Sequence, residues 1–79
     1  MVITMETLLR VLNDICPEEH LTADSDLTGS RLLESLNMVT LITDLNHAFD
    51  ISIPAEEIVP ENFTSVAAIY AMIRRIDEA

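Results

Sequence analysis

Apolar residues recur along this chain at three- and four-residue intervals, in runs separated by polar stretches. Met5, Leu8, Val11, Leu12 and Ile15 share one face of a helix when successive residues are placed roughly 100° apart. The spacing predicts a first helix over residues 4–15, with Thr4 able to cap its start. Pro17 disfavours helical geometry in the residue before it, so the helix should stop at Cys16. Met38, Leu41, Ile42, Leu45, Ala48 and Phe49 form a second apolar stripe and predict a helix over residues 35–49. Thr40, Thr43, Asn46 and His47 lie on or near its opposite side. Leu36 and Val39 break the pattern, sitting off the stripe beside Ser35. Two readings of them stay open, a contact surface or packing under the preceding loop.

Asp50 to Pro54 predict a tight connection. Pro54 can open a short third helix at its first position, followed by Ala55, Glu56, Glu57 and Ile58. Pro60 should end it. Thr64 then caps a last helix whose buried face is Val66, Ile69, Tyr70, Ile73 and Ile76. Arg74 and Arg75 fall in its final turns, where cations suit the helix dipole. Tyr70 reads as a core aromatic with its hydroxyl near the surface.

Residues 17–34 make a long connection, in which Leu21, Leu27, Leu32 and Leu33 are the expected anchors to the core. Part of it imitates a calcium loop. Asp24, Asp26, Thr28 and Gly29 match the first, third, fifth and sixth positions of an EF-hand. The twelfth position needs a bidentate glutamate and holds Ser35, while Glu34 is one place short. Arg31 would bring a cation close to the metal. An Asx-rich loop with a glycine turn is expected instead, with no metal site.

These patterns define an all-α fold, a four-helix bundle made of three main helices plus a short third one, with a long loop between the first two. At 79 residues the chain is expected to be one domain, 1–79. Four arginines and no lysine face 14 acidic residues, a formal net charge of -10. That balance excludes the basic footprint of nucleic-acid binding and a polybasic membrane patch. It would steer the protein toward partners with basic docking surfaces, or serve solubility alone. No apolar run approaches the ~20 residues of a membrane span, so no membrane insertion is expected. Cys16 is the single cysteine. It excludes an internal disulfide and fits a reduced, cytoplasmic setting; no signal peptide is legible.

Catalytic chemistry is thinly supplied. Ser35 would need a base held by a third group and an oxyanion hole. His47 lies twelve residues further along the same predicted helix, about 18 Å away by helical rise, out of reach of Ser35. No enzyme activity is expected. Ser35 at a helix start is either an N-cap or a modification site. A phosphodiester there would meet the free N–H groups and positive dipole of the helix N-terminus.

The segment LLESLNMVTLITDLNHAFDISIPAEEIVPENFTSVAAIYAMI resembles the acyl and peptidyl carrier proteins. Ser35-Leu36 stands in their Asp-Ser-Leu signature, Phe49 near the helix end, and Ile51-Ser52-Ile53-Pro54 in their "I-x-I-P" turn. The resemblance implies an acyl-carrier-like bundle in which a phosphopantetheinyl transferase attaches 4'-phosphopantetheine from coenzyme A to Ser35. The arm's thiol would hold an acyl or aminoacyl group as a thioester. Glu34, Leu36, Val39, Thr40 and Thr43 fall where such carriers meet their partners. Those partners would be the transferase and an adenylating ligase, or an acyltransferase or synthase, acting on a monomeric carrier. Glu34 departs from the usual Asp, and Leu32 stands where a Gly is frequent. The Leu-Leu-acid-Ser run resembles free-standing carriers, including D-alanyl carrier proteins served by a dedicated adenylating ligase. Between Leu36 and Phe49 the one acidic residue is Asp44, which argues for a specialised pathway over housekeeping fatty acid synthesis. A carrier-like interaction domain whose serine is only a cap is the rival from a different class.

Overall fold

The computed structural model describes residues 3–78, and of Ser35 the backbone alone. Its main helices are α1 (Met5–Ile15), α2 (Ser35–Phe49) and α3 (Val66–Glu78). The Thr4 side chain accepts the Thr7 N–H at 3.2 Å, satisfying one orphan donor of α1. Cys16 terminates α1 and donates its N–H to Leu12 O. Leu8 and Leu12 from α1 meet Leu41, Leu45 and Phe49 from α2 in the centre of the molecule. Val66, Ile69, Met72 and Ile73 close the core from α3. Met72 was not on the predicted face, which Ile69 and Ile73 defined correctly.

The long connection is anchored as expected by Leu21, Leu27 and Leu32, all buried, with Leu33 partly buried beside them. It carries two 3-10 turns, Pro17–Glu19 and Arg31–Leu33. Asn13 supports its outward path by accepting the Leu21 N–H at 2.7 Å and donating to Leu21 O at 3.0 Å. Its middle is stitched to the start of α3. Leu27 N–H donates to Thr64 O at 2.9 Å, and Val66 N–H to Ser25 O at 3.1 Å. Asp26 accepts both the N–H and the hydroxyl of Thr28, an Asx turn that leads into Gly29 at φ +82°.

Three local expectations need correction. Pro54 is not the first residue of a short helix. It is the extended residue before a 3-10 turn, Ala55–Glu57. Pro60 does not simply end that element but opens a second 3-10 turn, Pro60–Phe63. Two prolines six residues apart each remove a backbone donor, leaving room for single turns between them. Asn62 Nδ2 joins the turns by donating to Glu57 O at 2.7 Å, and Arg75 from α3 forms an ion pair with Glu57. The cap of α3 is Ser65, whose hydroxyl oxygen accepts the Ala68 N–H at 3.1 Å, rather than Thr64. Thr64 instead uses its carbonyl to hold Leu27. Tyr70, expected on the buried face as a core aromatic, is only partly buried, and its hydroxyl donates to Ile3 O at 3.3 Å.

Candidate functional site

Ser35 is the first residue of α2, and the preceding Glu34 is its N-cap in extended geometry (φ −71°, ψ 151°). The Glu34 side chain makes no capping hydrogen bond, and the first turn of α2 contains no acidic residue. The contrast with α1 is direct, since there Thr4 caps and Glu6 sits in the first turn. In a chain of net charge -10, the first turn of α2 thus holds no carboxylate, and Glu34 at its mouth leaves its side chain out of the cap. The N–H groups of that turn and the helix dipole favour an anion. A phosphodiester attached to residue 35 fits that environment. The expectation that the Ser35 hydroxyl projects outward falls outside the described residues.

The predicted partner residues gather on the outer face of α2. Leu36 is 84% exposed and Val39 67%, so neither packs beneath the preceding loop. Glu34, Thr40 and Thr43 are exposed as well. The Thr40 hydroxyl donates to Leu36 O at 3.3 Å, satisfied within the helix. Val39 and Thr43 line a shallow apolar cleft with Met38, Ile42 and Ile58. A second cleft continues from Met38 to Leu33, Ile58, Val59, Pro60 and Phe63. Met38 and Ile42, expected in the core stripe, are only partly buried. The reason is that two 3-10 turns, not a full helix, cover this side of α2.

Ile58, 41% exposed, borders both clefts and was not among the predicted partner residues. Its signal was weak: an apolar pair, Ile58-Val59, between Glu57 and Pro60 reads equally as a core contact. His47 is exposed on α2, and His20 is an exposed loop residue in left-handed geometry (φ 48°). Cys16 is buried beneath the start of α2, with Asn37 Nδ2 at 3.8 Å from its sulfur. Burial, and next the charge of Glu19, push its thiol pKa up, so it is protonated at neutral pH. Among the described residues, no group of three or more His, Cys, Asp or Glu side chains is arranged to hold a metal ion. No helix among them is long and apolar enough to cross a membrane.

The sequence profile described as "Phosphopantetheine attachment site" matches residues 5–73, from the first residue of α1 to the buried turns of α3. Two curated proteins of Bradyrhizobium diazoefficiens are similar to the chain. Aminoacyl carrier protein 1 is 32% identical over 69 residues, covering 84% of this chain and 77% of its own length. Aminoacyl carrier protein 2 is 37% identical over 70 residues, covering 84% of this chain and 78% of its own length. No solved structure matches.

Proposed function

Because the chain belongs to the phosphopantetheine-binding carrier protein family, we propose that Ser35 is its attachment residue and that its cargo is an aminoacyl group. As a member of that family it is a carrier with a phosphopantetheine attachment site, and not a catalyst. The observation that supports Ser35 is the start of α2, where the N-cap side chain makes no capping bond and the first turn holds no acidic residue, lying within the matched residues. When bound, the arm supplies a terminal thiol that holds cargo as a thioester.

The Ser35 hydroxyl oxygen forms a bond to the phosphorus nearest pantetheine in coenzyme A. The pyrophosphate bond breaks, the 3',5'-bisphosphorylated adenosine leaves, and the hydroxyl proton passes to a base of the transferase. The positive end of α2 stabilises the anion that remains. Leu36, Val39 and Ile58 give the transferase and the loading enzyme an apolar footing, with Glu34, Thr40 and Thr43 at its edge. Both curated relatives are named aminoacyl carriers. Their names, with the Leu-Leu-acid-Ser run, support loading by a dedicated adenylating ligase of the kind that serves D-alanyl carriers. Residues 1–79 act as a single, monomeric carrier domain in the cytoplasm, where coenzyme A is available.

Incubation of the apo protein with coenzyme A and a broad-specificity transferase, followed by intact-mass measurement, tests the attachment. One added arm is expected, and none in Ser35→Ala. No adduct on the wild type, or an adduct that survives the substitution, overturns it. Intact mass of protein taken directly from its host tests the cargo, and a fatty acyl adduct there would exclude the aminoacyl assignment.

A further inference from the structure

We infer, resting on the assignment of Ser35 above, that Asn37 is a positioning residue for its modification: its amide closes a clasp across residue 35 that fixes the helix mouth without using the N–H groups there. With Glu34 as N-cap, Asn37 is the third residue of α2. In a capping box the side chain at this position reaches back and accepts the N–H of the N-cap residue. Here the polarity is reversed. Asn37 Nδ2 donates to the Arg31 carbonyl at 2.7 Å. The same carbonyl accepts the Glu34 N–H at 3.1 Å. One oxygen therefore receives the chain from both sides of residue 35.

The clasp belongs to a closed ring. Asn37 Nδ2 also lies 3.8 Å from Cys16 Sγ, at the end of α1. Cys16 O accepts the Glu19 N–H at 3.2 Å. The Glu19 carboxylate accepts the Ser30 hydroxyl at 2.8 Å, and Ser30 Oγ accepts the Leu32 N–H at 3.0 Å. From Leu32 the turn leads back to Arg31. The end of α1, the turn before the serine and the first turn of α2 are thus held as one unit. Every donor in the ring is a side chain or lies before residue 35. The first N–H groups of α2 stay out of it, available to an anion.

Transfer of the arm requires the serine oxygen in line with the reacting phosphorus, and small misplacements of a nucleophile cost large factors in rate. One exposed hydrogen bond contributes little to global stability, so its loss should act locally. Wild type, Asn37→Ala and Asn37→Gln are compared as apo proteins, with coenzyme A and a phosphopantetheinyl transferase, over a range of carrier concentrations. Asn37→Ala is expected to lower kcat about tenfold. KM for the carrier should stay within about twofold of wild type. Asn37→Gln, which keeps the donor, should recover most of kcat. Backbone amide exchange at Glu34 and Met38, whose N–H groups are bonded to Arg31 O and Glu34 O, should accelerate about tenfold in apo Asn37→Ala, with exchange at Leu45 unchanged.

Wild-type kcat in Asn37→Ala would overturn the proposal. So would a rise in KM alone, which would make Asn37 a transferase contact. Equal acceleration of exchange at Leu45 would overturn it by making Asn37 a general stability residue. If the wild type accepts no arm, the Ser35 assignment falls, and with it the role in modification. The exchange measurement then still decides whether the clasp itself exists.

Discussion

Asn46 Oδ1 accepts the backbone N–H of Ile53 at 3.0 Å, across the corner that ends α2. The Asn46 carbonyl meanwhile accepts the N–H groups of Asp50 and Ile51. One residue thereby satisfies three donors of the corner, which reverses through Asp50 at φ 52°. Ile53 is buried, so its N–H has no ready substitute partner in water. Asn46→Ala is expected to lose about 1–2 kcal/mol, read as a lower urea midpoint at unchanged slope. Asn46→Asp keeps the acceptor and should lose less.

Leu36→Asp and Val39→Asp should each slow arm transfer or loading about tenfold while helical signal and thermal midpoint stay at wild-type values. These side chains are exposed, so a charge costs the fold little and the interface much. A loss of helical signal would assign them to packing. Since Asp44 is the one acidic residue between Leu36 and Phe49, loading should also vary less than about threefold between low and high salt.

Cys16 should react with iodoacetamide about a hundredfold more slowly in the folded protein than in urea, measured by intact mass at neutral pH. Its folded pKa is raised above the ordinary 9.0, by burial first and by Glu19 next. The neutral thiol is therefore the form the fold favours. Its contribution to stability is complete below pH 9.0 and is lost as pH rises beyond it. Cys16→Ser should flatten that alkaline decline. The arm thiol of the modified protein should label at once, so rapid and slow phases separate the two thiols.

Asp26 provides the opposite sign. The Thr28 N–H, and then its hydroxyl, hold the carboxyl below the ordinary 3.8. Its contribution is present above pH 3.8 and is lost as pH falls below it. Asp26→Asn should flatten this part of the acid limb in a pH series of thermal melts. Calcium titration of the wild type with a chelator control should leave the melting temperature unchanged.

Much of this protein was legible in its residue order. The spacing of Leu8 to Leu12, of Leu41 to Leu45 to Phe49, and of Ile69 to Ile73 specified three helices and their inner faces. Helical periodicity is a local property, so the sequence carries it in full. Thr4 and Pro17 marked the ends of α1 for equally local reasons. The run from Ser35-Leu36 through Phe49 to Pro54 carried the resemblance to carrier proteins.

Contacts between distant residues were not legible. Ser65 displaced Thr64 as the cap of α3: Thr64 itself lies in helical geometry, and its carbonyl accepts from Leu27, far back in the chain. Asn46 read as a plain polar position and Asn37 was not singled out, since their partners are backbone groups of turns whose course no pattern specifies. Ile58 joined the apolar face beside Ser35 only once two 3-10 turns had placed it against Met38. Helix identity and the marked serine follow from neighbours along the chain. The clasp at the helix mouth, the corner at Ile53 and the open cleft follow from which loop atoms meet which helix in space, and long-range packing sets those meetings.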